Sequence, residues 1–144
     1  MIRPATIDDV PALVGIGQRF VARYPGPPVS LEHLPGVLTR LIGTGFVAVD
    51  DQGGVRGVLV GTITPTWLDP TARIAIELAW WHDVPGSPGG IRLLRAFEAW
   101  AAEQRVPVML SDLVSNGAPV LGDIVERLGY QTVERAHYKE VATW

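Results

Sequence analysis

Apolar and polar positions along the 144-residue chain follow two different periods, which predicts a mixed α/β architecture. Apolar residues recurring every three to four positions predict amphipathic helices, and short apolar runs bounded by turn residues predict strands. The predicted helices begin after Thr6 and then span 31–42, 91–102 and 118–128. The predicted strands are 2–3, 45–50, 55–63, 73–83, 106–113, 130–134 and 138–141. No internal repeat or linker interrupts this order, so residues 1–144 are predicted to form one domain.

The segment 73–102 has the most informative pattern. An apolar, aromatic run at 73–83 leads into a loop of Gly, Pro and Ser at 84–90, and the helix 91–102 follows. The first turn of a helix offers unpaired backbone N–H groups and the positive end of the helix dipole. Glycines allow the backbone to come close to a phosphate. The pattern therefore predicts that residues 86–92 bind a phosphorylated ligand.

This segment resembles the acyl-CoA-binding motif of the GNAT superfamily of N-acetyltransferases, in which a Gly-rich loop between a strand and a helix grips the pyrophosphate of acetyl-CoA. The hairpin 45–63, and Leu128-Gly129-Tyr130 followed by Tyr138-Lys139, resemble the family's central hairpin and closing segment. The resemblance implies an α/β (α+β) fold, with a mixed, mostly antiparallel sheet of about seven strands flanked by four helices. It also implies that the sheet is split between its fourth and fifth strands, where acetyl-CoA is wedged.

The resemblance further implies an enzyme that transfers an acetyl group from acetyl-CoA directly to a primary amine of a small molecule or protein, within a ternary complex. Glu77, a carboxylate among apolar neighbours, is the expected general base, and Tyr138 is the expected general acid. Segments 24–38 and 65–72 are expected to form the acceptor pocket. The expected cofactor-binding residues are Trp81, His82, Gly86, Ser87, Gly89, Gly90, Ile91, Arg92 and Asn116.

Three positions depart from the family pattern. Pro85 and Pro88 stand where the loop has an Arg or Gln and a glycine, and Pro88 has no N–H to donate. Val125 stands where many members have a tyrosine as general acid. These departures favour an alternative function, a non-catalytic acyl-CoA-binding or protein-interaction module with the same fold.

Several single residues also have a structural alternative. Glu77 is equally explained by an ion pair with Arg73, and His82 or Asp83 is a second candidate for the base. Trp80 and Trp81 should point to opposite faces of their strand, one of them in the core. An alternative interpretation of the loop 86–90 is a dinucleotide-binding loop, with Asp112 as the acidic residue that binds the ribose. The loop lacks the Gly-x-Gly-x-x-Gly spacing that this interpretation requires.

Composition narrows the function classes. The net charge of −3 provides no basic field for nucleic acid, and the absence of cysteine excludes disulfides and a cysteine acyl-enzyme. The three histidines show no metal-ligand spacing, so no metal is expected. The polar N-terminal residues and the lack of a long apolar stretch predict a cytoplasmic protein without a membrane partner. The expected partners are acetyl-CoA and an amine acceptor, and a homodimer is left open.

Overall fold

The computed structural model describes residues 1–111, 114–115, 118–119, 121 and 123–141. Within these residues it contains four α-helices, a five-stranded sheet and a separate two-stranded ladder. The sheet strands are β1 (Ile2–Pro4), β2 (Phe46–Asp51), β3 (Val55–Pro65), β4 (Arg73–His82) and β5 (Val108–Met109), and the ladder pairs β6 (Val114–Ser115) with β7 (Ala118–Pro119). The helices are α1 (Val10–Val21), which follows a 3-10 turn at Ile7–Asp9, α2 (Leu34–Thr44), α3 (Pro88–Glu103) and α4 (Ile124–Arg127).

The five sheet strands lie in chain order, and both faces of the sheet are covered. Every neighbouring pair is antiparallel except β4 and β5, which are parallel. Alternate residues of β2 and β3 face opposite sides, as the period of a strand requires. Val47, Val49, Val58 and Val60 pack against α1 and α2, whereas Ala48 and Leu59 pack against the face of α3 formed by Leu93, Leu94, Phe97 and Ala101. Two apolar cores therefore sandwich the sheet.

A β-bulge at Leu78 changes the direction of the side chains along β4. Ala79 pairs with Val60 and Glu77 pairs with Gly61, so Leu78 is an extra residue on this strand. A bulge of one residue reverses the alternation of faces. Before it, Ala75 packs on the α3 side, and after it Ala79 packs on the α1 and α2 side.

The strands β4 and β5 part at Glu77. They are paired at Ala75–Val108 and Ile76–Met109, while β4 continues to His82. Beyond Ile76, the edge of β4 that faces β5 has no ladder partner in the described part of the chain. The opening lies between the fourth and fifth strands, where the sequence predicts a split.

The starts of α2 and α3 differ from the sequence prediction in ways that proline explains. Helix α2 begins at Leu34 instead of residue 31, and α3 begins at Pro88 instead of residue 91. Proline is well tolerated in the first turn of a helix, where its missing N–H would have no partner. Pro88 therefore lies inside the helix that the sequence predicts to follow it, and Pro35 lies in the first turn of α2.

The C-terminal third of the fold corrects the prediction most. The sheet has five strands rather than about seven, and β5, Val108–Met109, is the described strand within the predicted strand 106–113, whose last two residues lie outside the described residues. Within the predicted helix 118–128, Ala118–Pro119 form β7 and Ile124–Arg127 form α4, while residues 120 and 122 lie outside the described residues. The predicted strands 130–134 and 138–141 are wrong, since described residues 130–141 form no strand and 131–141 are exposed. Polar or charged residues separate the apolar positions of 130–141, so these positions form no continuous apolar face to bury against the sheet.

The described helices are each too short or too polar to span a bilayer.

Candidate active site

Glu77 is a buried carboxylate at the point where β4 and β5 part. It is 8% exposed, and the backbone N–H of Ser111 donates a hydrogen bond of 3.1 Å to its Oε2 atom. Burial raises the pKa of Glu77 to about 7, and the Ser111 hydrogen bond opposes that rise only partly. No basic side chain among the described residues, Arg73 included, forms an ion pair with Glu77. The carboxylate is thus suited to accept a proton near neutral pH.

A cavity of about 140 Å³ lies over Glu77. Its walls come from the end of α1, from β4 and from the chain after β5: Phe20, Tyr24, Glu77, Leu78, Trp80, Ser111 and Leu121. Phe20 and Tyr24 stack with ring centroids 5.4 Å apart, and Phe20 also meets the Trp81 ring edge-on at 6.4 Å. The cavity is therefore an aromatic and aliphatic pocket with one buried acid.

Sequence reasoning missed Phe20 and Tyr24 as site residues. No candidate site residue is expected in the first helix, where Phe20 lies. The available signal was the expectation that residues 24–38 border the acceptor pocket. Tyr24 is the residue at which that expected segment begins, and it lines the cavity.

The two tryptophans of β4 point to opposite faces, as predicted. Trp80 lines the cavity, and its indole Nε1 donates a 3.1 Å hydrogen bond to the Gly90 carbonyl at the start of α3. Trp81 packs against the other core and donates from Nε1 to Asp83 Oδ1 at 2.9 Å. Arg19 also binds Asp83, at 3.0 Å. Of the two tryptophans, Trp80 is therefore the one that lines the cavity. The expected contact of Trp81 with the cofactor stays a prediction.

The loop before α3 has the geometry of a helix cap. Gly86 adopts φ of +73°, and Ser87 is the N-cap residue whose Oγ accepts a 3.1 Å hydrogen bond from the Gly89 N–H. The Gly90 N–H binds the Ser87 carbonyl at 3.1 Å, and the Ser87 N–H binds the Val84 carbonyl at 3.1 Å. Three of the amides predicted to grip a phosphate are therefore paired within the loop, and a phosphate must compete with Ser87 for the Gly89 N–H.

A buried carboxylate, Asp50, lies against Gly89 in the first turn of α3. Asp50 is fully buried and binds the Met1 ammonium at 3.1 Å, the Gln52 amide at 2.8 Å and His82 Nε2 at 3.1 Å. Burial opposes the ionisation of Asp50, but these hydrogen bonds outweigh it and hold its pKa at about 2. The half-exposed Arg92 guanidinium lies 4.0 Å from the same carboxylate. The positive groups around Asp50 offset a negative charge that would otherwise repel an anion at this helix end.

Both ring nitrogens of His82 are occupied. Nδ1 lies 3.0 Å from the Val84 backbone nitrogen and 3.2 Å from the Val84 carbonyl oxygen, and Nε2 lies 3.1 Å from Asp50 Oδ2. His82 therefore has no free lone pair to act as the alternative base. Its position under α3 does place it next to the predicted cofactor loop.

Tyr138, the expected general acid, is not among the described residues that line the cavity. Tyr138 is 48% exposed, lies outside any strand and donates to Glu140 Oε1 at 3.4 Å, so its assignment to a final strand is wrong. Its role as general acid stays a prediction. Asn116 lies outside the described residues. The described His, Asp and Glu side chains include no group of three placed to hold a metal ion.

Comparison with known proteins shows similarity in structure but not in sequence. No family model matches the chain, and no curated protein matches its sequence. A GCN5-related N-acetyltransferase from Ralstonia eutropha superposes with a TM-score of 0.74 at 16% identity, covering 99% of both chains. A predicted acetyltransferase from Clostridium acetobutylicum, solved with acetyl-CoA, superposes with a TM-score of 0.70 at 16% identity, covering 97% of this chain and 95% of that one. Glucosamine-6-phosphate N-acetyltransferase from Arabidopsis thaliana gives 0.71 at 14% identity, covering 99% and 98%. The chain has the GNAT fold, which confirms the resemblance at the level of the fold.

Proposed function

We propose that this GNAT-fold chain is an N-acetyltransferase that moves an acetyl group from acetyl-CoA directly to a primary amine. The observation that supports this most strongly is Glu77, whose carboxylate is buried in the cavity where β4 and β5 part and has a pKa of about 7. A general base works best when its pKa is close to the working pH. A buried carboxylate without a basic partner is costly to stability, which favours a functional reason for its presence.

The start of α3 is suited to the pyrophosphate of acetyl-CoA. A side-chain atom added at Gly86 would meet nothing within 4 Å, so the backbone there is open to a ligand. The helix N-terminus attracts anions, and the Arg92 side chain, 55% exposed, lies one turn into α3 as its fifth residue. The unpaired edge of β4 beyond Ile76 offers backbone N–H and C=O groups to the amide arm of the cofactor. Pro88 removes one donor from this set.

The reaction follows from these positions. Glu77 takes a proton from the acceptor ammonium, and the freed amine attacks the carbonyl carbon of the thioester. A C–N bond forms as the C–S bond breaks, and CoA leaves as a thiolate that takes up a proton. Holding amine and thioester together provides much of the rate enhancement, and a backbone N–H on the open edge of β4 stabilises the developing oxyanion.

The proton for the departing thiolate has two candidate donors. Tyr138 is the donor that the sequence predicts, while the Tyr24 hydroxyl belongs to a side chain that lines the cavity. Tyr24→Phe and Tyr138→Phe, compared by kcat at pH 8, decide between them. The acid is the residue whose change lowers kcat while leaving the melting temperature in place.

The function is tested with the purified chain, acetyl-CoA and a panel of primary amines, with released CoA detected as free thiol. We expect amine-dependent CoA release and a rise in melting temperature with acetyl-CoA that NAD does not produce. Stabilisation by acetyl-CoA without CoA release from any amine or protein acceptor would favour the non-catalytic module. The absence of any acetyl-CoA effect at millimolar concentration would overturn the proposal.

A further inference from the structure

We infer that the acceptor is a primary amine attached to a compact apolar body, about one aromatic ring in size, without a carboxylate or phosphate group. This inference rests on the proposed acetyltransferase function. It concerns what the cavity over Glu77 selects, which neither the fold nor the structural neighbours determine. The lining, the size and the charge of that cavity each restrict the acceptors that fit it.

The α1 wall of the cavity belongs to the acceptor side of the sheet. Phe20 lies in the last turn of α1 and Tyr24 three residues after its end, and α1 packs on one face of the sheet. The proposed pyrophosphate site begins α3, which packs on the opposite face. A cofactor that enters from α3 along the open edge of β4 reaches Glu77 from one side. The space between Glu77 and the α1 rings then remains for the amine.

The lining selects an apolar body. Among the described lining residues, Glu77 and Ser111 are polar and Tyr24 adds one hydroxyl, while the rest of the lining is aromatic or aliphatic: Phe20, the Tyr24 ring, Leu78, Trp80 and Leu121. The volume of about 140 Å³ is close to that of apolar protein cavities that accept benzene, roughly 150 Å³. A single ring or a short branched chain fills such a space.

The charge of the cavity favours an acceptor that has one ammonium group and no carboxylate or phosphate. Glu77 is the one charged side chain among the described lining residues, and it suits one ammonium group. Between Ser111 and Leu121, both of which line the cavity, the sequence contains no lysine or arginine. An acceptor that also bears a carboxylate or phosphate would place its anion beside Glu77 without a described cation to balance it.

The nearby arginines are already engaged. Arg19 binds both carboxylate oxygens of Asp83, at 3.0 and 3.1 Å, and Arg23 lies over the Trp81 ring with its Cζ 5.4 Å from the centroid. Neither lines the cavity. The aromatic faces of Phe20, Tyr24 and Trp80 add a weak attraction for an ammonium group as it enters.

The test compares acceptors that differ in one property. Initial rates are measured at saturating acetyl-CoA with 2-phenylethylamine, with phenylalanine, which adds a carboxylate, with glucosamine 6-phosphate, and with spermidine. We expect kcat/KM for 2-phenylethylamine to exceed each of the other three by at least tenfold. Higher kcat/KM for phenylalanine, glucosamine 6-phosphate or spermidine would overturn the acceptor class while leaving the acetyltransferase function intact.

A second arm tests the α1 wall directly. Phe20→Ala should lower kcat/KM for 2-phenylethylamine at least tenfold, mainly through the KM for the amine, while the KM for acetyl-CoA and the rate with ethylamine change less than threefold. Ile7→Ala, at an exposed aliphatic residue in the 3-10 turn before α1 and outside the expected pocket segments, is the matched truncation and should leave all three values unchanged. Equal losses with both amines in the Phe20 variant would contradict the pocket. If no amine of either series releases CoA, the proposed function fails together with this inference.

Discussion

Replacing Glu77 by Gln should abolish activity and stabilise the protein, two effects in opposite directions. The glutamine retains a side-chain oxygen to accept the Ser111 N–H, but it cannot take a proton from the substrate. Loss of a general base lowers kcat by roughly 10²–10⁴-fold. The stability gain arises because the wild-type carboxylate is ionised in a desolvated site at neutral pH.

The size and pH window of that gain follow from the pKa. Burial raises the pKa of Glu77 from 4.5 to about 7. At about 1.36 kcal/mol for each pKa unit, the raised value corresponds to roughly 3 kcal/mol. Between pH 4.5 and 7 the native state binds more protons than the unfolded state, so the free energy of unfolding falls as pH rises. The decrease in the free energy of unfolding is complete above pH 7 and absent below pH 4.5.

Urea unfolding of wild type and Glu77→Gln at pH 4.5 and pH 8.5 measures this difference. We expect nearly equal stability at the lower pH and an advantage for the variant of about 3 kcal/mol at the higher pH, or roughly 10 °C in melting temperature. Glu98→Gln is the matched control, because Glu98 accepts hydrogen bonds from Arg95 at 2.6 Å and Tyr130 at 2.8 Å. That variant should lose stability and keep its activity.

Two results would refute this reasoning. If Glu77→Gln is less stable than wild type at both pH values, Glu77 has a stabilising ionic role rather than a catalytic one. If the variant keeps its turnover, another group or a bound water is the base, because His82 has both nitrogens occupied.

Three further predictions concern the start of α3. Gly89→Ala should lower the melting temperature by several degrees, because the added Cβ would collide with the Asp50 carboxylate and lie 2.7 Å from His82 Nε2. Gly90→Ala should leave the melting temperature unchanged, because its Cβ would lie 3.8 Å from the nearest atom. Equal melting temperatures of the two variants would contradict this packing. Gly90→Asp should raise the Kd for acetyl-CoA at least tenfold by calorimetry, about 1.4 kcal/mol, with an unchanged circular dichroism spectrum, and an unchanged Kd would place the pyrophosphate elsewhere. Ser87→Ala should cost about 1 kcal/mol of stability through the lost cap. It should not weaken acetyl-CoA binding, since it frees the Gly89 N–H, and a weaker Kd would show that Ser87 binds the phosphate itself.

Local sequence patterns were sufficient to predict the elements whose apolar residues repeat with a clear helical or strand period. The hairpin of β2 and β3, the long β4 and the core face of α3 lie close to the predicted ranges, because each buries an apolar face at every repeat. The C-terminal strands were not predictable in this way. Residues 130–141 contain residues of high β-propensity, but a strand needs a neighbouring ladder and a face to bury, and local sequence specifies neither.

Local sequence was enough to predict the order of the elements from β1 to α3, the Gly-rich start of α3 and the presence of one carboxylate in an apolar strand. It could not determine what surrounds that carboxylate. The bulge at Leu78, the parting of β5 from β4 and the rings of Phe20 and Tyr24 together desolvate Glu77 and shape the cavity. These groups are far apart in the chain, and a pKa depends on the distances and solvent that only the folded arrangement sets. Asp50 under α3 is a second case, since no local pattern near residue 50 indicates that a helix beginning at Pro88 will cover it.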